Sequence, residues 1–298
     1  MLPHDSFTLI NPQNGNLAFK LYSFEDNRHF DHLQRLNYYS LIWVKQGQGK
    51  VKADFSEYEF SDGSLFAFAP YQPFLISASE NFKGVVLNFH PDFFCIHKHQ
   101  QEVACHGVLF NNIYQPPFVL VNDEAKGTFE LLIAQMKIEI QNPALAQNEL
   151  LISYLKIFLI TASRIKNLKE PLEDQFISGN KEPFVLQNLK NYIELHYKLK
   201  HSASDYADLL NISPKALAKI TKSHFNKTLT NLISERIIIE AKRELYLSDK
   251  PVKEIAFELG YDDENYFSRF FKTNADVSPQ MYRDTVGFAR AKQLVIEL

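Results

Sequence analysis

The chain changes rhythm once. From Phe7 to about His90, aromatic and branched residues recur in short runs between turn residues, as at 39–44, 51–55, 65–69 and 85–89, and this pattern predicts short strands. Gln46-Gly47-Gln48-Gly49 lies between two of these runs. Glycine accepts the positive φ that tight turns need, so a hairpin is expected there. Many short strands in succession point to a small β-sandwich or barrel.

After about Val121 the spacing becomes helical. Phe129, Leu132, Ile133, Met136 and Ile140 fall on one face, and Pro143 closes that helix. A second helix, about 144–165, carries Leu150, Leu151, Tyr154, Leu155, Ile157, Phe158 and Leu159 on more than one face. Such a helix is either buried within one domain or shared between the sheet and its equivalent in a second subunit. Residues 167–183 bring Pro171, Gly179 and Pro183 with little apolar periodicity and read as a linker. Beyond them helical spacing continues almost to the end. The expected fold class is therefore α+β, with domains at 1–166 and 184–290, a linker at 167–183 and a tail at 291–298.

The C-terminal part contains a repeat, offset by 49 and then 50 residues. Ser202-x-x-Asp205-Tyr206-Ala207-x-x-Leu210 aligns with Pro251-x-x-Glu254-Ile255-Ala256-x-x-Leu259, each a short helix in which the acid can reach back to the cap. A sharp break follows, Asn211-Ile212-Ser213 or Gly260-Tyr261-Asp262, with Asn and Gly suited to a left-handed turn. A second helix then starts behind a capping Ser213 or Asp262, with Leu217 matching Phe267, Lys219 matching Arg269 and Lys222 matching Lys272. Helix, short turn and steeply crossed helix make a helix-turn-helix, whose second helix can enter the major groove. A connecting helix at about 230–247, including the aliphatic Ile237-Ile238-Ile239, has roughly the length needed to set two such units in adjacent turns of DNA.

Charge sharpens this picture. The net charge over 298 residues is −3, which alone would disfavour a nucleic-acid partner, but residues 181–298 carry a net +2 and the remainder −5. Between Leu209 and Ser234 stand Lys215, Lys219, Lys222 and Lys227 without a carboxylate, the footprint expected of phosphate contact. The first ten residues lack a basic patch ahead of an apolar run, and no apolar stretch is long enough to span a bilayer. With only two cysteines, Cys95 and Cys105, a disulfide framework is excluded and a cytoplasmic location is expected.

The segment Val252-Lys253-Glu254-Ile255-Ala256-Phe257-Glu258-Leu259-Gly260-Tyr261, continuing through Tyr266-Phe267-Ser268-Arg269-Phe270-Phe271-Lys272 to Ser278-Pro279 and Tyr282-Arg283, resembles the signature of the AraC/XylS family of transcription regulators. The resemblance covers about 184–283. It implies that Lys215, Ala218 and Lys219 in the first unit, and Glu264, Asn265, Ser268 and Arg269 in the second, face DNA, and the outward basic positions matched by the repeat, Lys222 and Lys272, are expected to join them. Arg269 suits guanine, Asn265 adenine, Glu264 the cytosine amino group, and Ala218 the thymine methyl. The family usually has glycine where this chain has Asn226 and Asp276, two residues that tolerate the left-handed conformation.

The N-terminal part is similar to the cupin-like domains that sense small molecules or mediate dimerisation in that family. A pocket lined by Tyr39, Trp43, Phe55, Phe66, Phe68 and Phe74 is the corresponding expectation, although aromatics on strands are more often core. The resemblance implies a homodimeric regulator, an activator that works with RNA polymerase on promoter DNA under a small-molecule effector.

An enzyme is the competing reading, because catalytic cupins hold a metal through histidines and a carboxylate. His97-Lys98-His99 with Glu102 comes nearest, yet its spacing does not fit. Cys95, His97, His99, Cys105 and His106 form only an irregular metal-ligand set. There is no phosphate loop and no nucleophile elbow. Neither a cofactor nor a catalytic role is therefore expected, and a regulator governed by protein contacts without a ligand remains a third reading.

Overall fold

The structure is a computed structural model in which residues 6–12, 15–103, 108–176 and 184–286 are described. Strands come first: β1 (Ser6–Ile10), β2 (Leu17–Phe24), β3 (Tyr39–Gln46), β4 (Gly49–Ala53), β5 (Ser56–Phe60), β6 (Ser64–Phe68), β7 (Phe74–Ala78) and β8 (Lys83–Phe89). A short α1 (Gln100–Val103) and β9 (Phe118–Leu120) lead into α2 (Asp123–Gln141) and α3 (Gln147–Phe176). The strands form an antiparallel six-stranded sheet in the order β1-β2-β8-β3-β6-β9 and a three-stranded sheet in the order β5-β4-β7.

Strand alternation divides the side chains between two cores. Leu41 and Trp43 of β3, with Val85 and Leu87 of β8, face α2 and α3 and meet Phe129, Met136, Leu155 and Phe158. Ile42, Val44 and Val86 point the other way, onto Phe60, Phe66, Phe68 and Phe74 between the sheets. Both central strands are thus buried on both faces, which is why they read as nearly continuous apolar runs.

Two local expectations are corrected. Gln46-Gly47-Gln48-Gly49 is not a hairpin: β3 pairs with β6 and β8, whereas β4 pairs with β5 and β7, so the chain changes sheets there. The glycines serve close approach, since a Cβ on Gly49 would lie 2.2 Å from the Ser77 carbonyl oxygen. The hairpin falls one step later, from β4 to β5, through Asp54 at φ 49° and Phe55.

The linker expected at 167–183 is helical over its first ten residues, because α3 runs to Phe176. Polar residues without an apolar stripe can still propagate an established helix. Residues 177–183 and 287–298 lie outside the described residues.

The C-terminal part contains α4 (Phe184–His196), α5 (Ala203–Leu210), α6 (Pro214–Phe225), α7 (Leu229–Leu247), α8 (Val252–Glu258), α9 (Glu264–Ala275) and α10 (Pro279–Val286). They pack around Leu186, Leu189, Tyr206, Leu217, Leu232, Ile255, Phe267 and Phe271, and Tyr71, Cys95 and Ile113 of the N-terminal part join the same core. The hydroxyls of Tyr71 and Thr285 are 2.7 Å apart, and Asn37 Nδ2 donates to the Thr285 carbonyl at 3.2 Å.

Candidate nucleic-acid interface and the cavity behind it

Each unit is cut to length by its caps. Ser202 and Asp205 form a reciprocal capping box at α5, and Asn211 ends that helix in the left-handed region at φ 52°. Ser213 Oγ accepts from the Ala216 amide at the start of α6, with Pro214 at the first helical position. In the second unit Pro251 offers no side-chain cap to α8, and Gly260 makes the turn at φ 81°. Asp263 caps α9 by accepting from the Tyr266 amide at 2.8 Å, so the cap lies one residue beyond the expected Asp262. The turn is one residue longer here, and both aspartates match the capping preference equally well.

The reading helices bury Leu217, Thr221 and Phe225 in α6, and Phe267, Phe271 and Ala275 in α9, at positions 50 apart. This leaves Lys215, Ala218, Lys219, Lys222, Glu264, Asn265, Arg269 and Lys272 exposed, and Ser268 half-buried. Lys222 Nζ donates to the Asn226 carbonyl at 3.3 Å at the far end of α6. Lys227 does not belong with the exposed lysines. It is buried, with Nζ 2.7 Å from Glu235 and 3.1 Å from the Ile113 carbonyl, because the left-handed Asn226 (φ 53°) turns the chain inward just before it.

The helix α7 that joins the units buries Leu232, Ile233, Ile237, Ile238, Ala241 and Leu245. Its 19 residues span roughly 28 Å at 1.5 Å per residue, against about 34 Å between successive major-groove faces. It is anchored to α4 by Arg236, which bridges Glu194 at 2.8 Å and Glu240 at 3.1 Å and stacks on Tyr197.

Behind this surface lies a cavity of about 250 Å³ between the two halves of the chain, lined by Arg35, Asp54 and Phe55 on one side and by Lys227, Glu235 and Lys242 on the other. Burial pushes the Asp54 carboxyl up and Glu235 up to about 8, with Lys227 opposing both. Burial pulls Lys242 down to about 8, opposed by Asp54. Lys242 Nζ donates to the Pro70 and Tyr71 carbonyls at 3.0 and 3.1 Å. Local patterning held no signal for this cluster, whose members are far apart in sequence.

Of the aromatics expected around a pocket, Phe55 alone lines this cavity. Tyr39 stacks on Phe89, Trp43 meets Phe129 edge-on, and Phe66, Phe68 and Phe74 stack on one another, with the last two 3.9 Å apart. Those five rings fill the core themselves. Near the histidines, His99 Nδ1 lies 2.9 Å from Glu102, whose carboxylate also pairs with Lys156. Cys105 and His106 lie outside the described residues.

The chain matches two family profiles, an AraC-like ligand binding domain over residues 16–155 and a helix-turn-helix domain over residues 206–285. It is 32% identical over 126 residues to an HTH-type transcriptional regulator in the cgkA 5′ region of Pseudoalteromonas carrageenovora, covering 39% of this chain and 75% of that one. It is 27% identical over 166 residues to the transcriptional activator RhaS of Citrobacter koseri, covering 55% and 56% of the two chains. The raffinose operon regulator RafR of Pediococcus pentosaceus is 31% identical over 97 residues, covering 33% and 35%. A crystal structure of ToxT from Vibrio cholerae aligns over 94% of this chain and 97% of its own at a TM-score of 0.40 and 18% identity. The chain thus spans three quarters of one of these relatives and about half or less of the other two regulators.

An N-terminal ligand-binding domain followed by a C-terminal helix-turn-helix region defines a DNA-binding transcription regulator. The chain belongs to the AraC family of helix-turn-helix transcription regulators. Among the described residues no helix is long and apolar enough to cross a membrane.

Proposed function

We propose that this regulator reads promoter DNA with α6 and α9 in adjacent turns of the major groove and, like the relative RhaS, activates transcription with RNA polymerase in the cytoplasm. The observation that carries this reading is the matched exposure of Lys219 with Arg269 and of Lys222 with Lys272 on two helices joined by α7. The α6 lysines Lys215, Lys219 and Lys222 supply phosphate attraction, while Asn265, Ser268 and Arg269 on α9 supply base readout. The domains divide after α3, near residue 176, and no catalytic role is needed for either.

The cavity is the place for an effector. Arg35, Lys52, Lys227 and Lys242 outnumber Asp54 and Glu235 in its lining, which favours a small organic molecule with an acidic group. A homodimer is supported by Leu131 and Ile138 on α2 and by Leu150 and Ile157 on α3, exposed apolar pairs each spaced by seven residues.

The test is selection of bound genomic fragments by the full-length protein at two salt concentrations. A motif of two short blocks about one helical turn apart, bound more weakly at high salt, is the expected result. Enrichment of a single block would remove the bipartite reading, and no enrichment at either salt would remove the specific-binding reading.

A further inference from the structure

The two residues that replace the usual glycine behind the reading helices, Asn226 after α6 and Asp276 after α9, occupy equivalent positions 50 apart, and both adopt the left-handed conformation, at φ 53° and 64°. A side chain is a disadvantage in that conformation, which glycine adopts at no steric cost. Here both side chains reach the N-terminal half. Asn226 Nδ2 donates to the Glu57 carbonyl at 3.2 Å, and Ser56 Oγ donates to the Asn226 carbonyl at 3.4 Å. Asp276 Oδ2 pairs with Arg35 Nη1 at 3.0 Å. The cavity lies between these two attachments: Arg35 lines it, as do Lys227, next to Asn226, and Thr273 and Asn274, just before Asp276.

We propose that Asn226 and Asp276 form a pair of latches that fasten the C-terminal ends of both reading helices to the N-terminal domain, so that a change in that domain reaches both helices together. The attachment at the C-terminal ends leaves Lys215, Lys219 and Arg269 exposed for DNA, while Lys222 donates to the Asn226 carbonyl at 3.3 Å. This rests on the reading of α6 and α9 as the DNA-contacting helices, but the latches themselves can be tested without DNA.

The test is amide hydrogen exchange on the full-length protein and on the double variant N226G/D276G. Glycine suits the helix ends at least as well as the native residues while deleting both side-chain contacts, so a folding defect is not expected. Exchange at β5 and around Arg35 should rise about three- to tenfold, the loss expected for one hydrogen bond, with α4 and α5 unchanged and each single variant affecting only its own side. Unchanged exchange in the double variant would overturn the latches.

A second arm adds random-sequence duplex DNA at low salt. DNA should alter exchange in β5 and around Arg35 of the wild type but not of N226G/D276G. A response that persists in the variant, or is missing from a wild type that binds, would overturn transmission through these residues. Failure of the wild type to bind any duplex would count against the DNA reading instead, leaving the first arm to judge the latches.

Discussion

The two helix-turn-helix units share a backbone plan and differ in chemistry. Both end their reading helix in a left-handed residue and bury three equivalent side chains. The first unit presents Lys215, Lys219 and Lys222 with no carboxylate on α6, whereas the second mixes Glu264 and Asn265 with Arg269 and Lys272 on α9. Their supports differ as well. The short helix of the first is closed by its own capping box, while α8 depends on its surroundings: Lys250 pairs with Glu258 at 2.7 Å and Glu244 at 3.3 Å, and Arg283 binds the Lys250 carbonyl at 2.7 Å. The repeat thus preserves geometry and frees composition, and in the proposed function the first copy supplies attraction and the second discrimination.

The sharpest break in the comparison lies at the turns. A Cβ on Gly260 would sit 2.0 Å from the Lys198 carbonyl oxygen, on a backbone already at φ 81°. Gly260→Ala should cost about 3 kcal/mol or more, read as a fall in the denaturation midpoint. Asn211, at φ 52°, is the matching turn residue, and Asn211→Gly should change stability by less than about 1 kcal/mol. Equal effects at the two sites would show that the Lys198 carbonyl, in the turn after α4, does not press on the second turn as it does here.

DNA binding gives the next largest contrast. Arg269→Ala should cost about 1–3 kcal/mol on the preferred duplex and relax the preference at one base pair, as expected for loss of a bidentate guanine contact. Lys219→Ala should weaken binding to all duplexes alike and lower the salt slope by about one. Titrations of both variants on preferred and scrambled duplexes at several salt concentrations separate the two patterns. If Arg269→Ala weakens all duplexes equally, the division of labour between the units fails.

The same contrast between local and distant determinants explains what was legible in the sequence. Turns and the spacing of Leu217 or Phe267 act within a few residues, so both units could be read directly, down to Asn226 and Asp276 in the left-handed conformation, although the cap of α9 falls on Asp263 and not on Asp262. Gly47 and Gly49 were misread because a hairpin and a change of sheet need the same local freedom; the proximity of Ser77 decides between them. The α3 extension was hidden by Pro171, and Lys227 was miscounted because its partners, Glu235 and Ile113, are set by tertiary packing. The cavity was missed for the same reason, since it belongs to no single segment.

The smallest expected effects concern the caps, where the difference between the units can be reversed. Ser202→Ala removes the hydroxyl that accepts from the Asp205 amide, and should cost about 1 kcal/mol with faster amide exchange confined to α5. In the second unit Glu254 already stands three residues after Pro251, so Pro251→Ser supplies the missing half of a capping box and should gain about 0.5 kcal/mol. Two terms compete there: the new hydroxyl offers the Glu254 amide a second acceptor beside the residue-251 carbonyl it already reaches at 3.0 Å, while loss of the proline ring frees the unfolded chain. A net loss with slower exchange in α8 would mean that the cap forms but proline's restriction of the unfolded state outweighs it. A net loss with faster exchange would mean that α8 is held by Lys250 and Arg283 in a position where a serine cap cannot close.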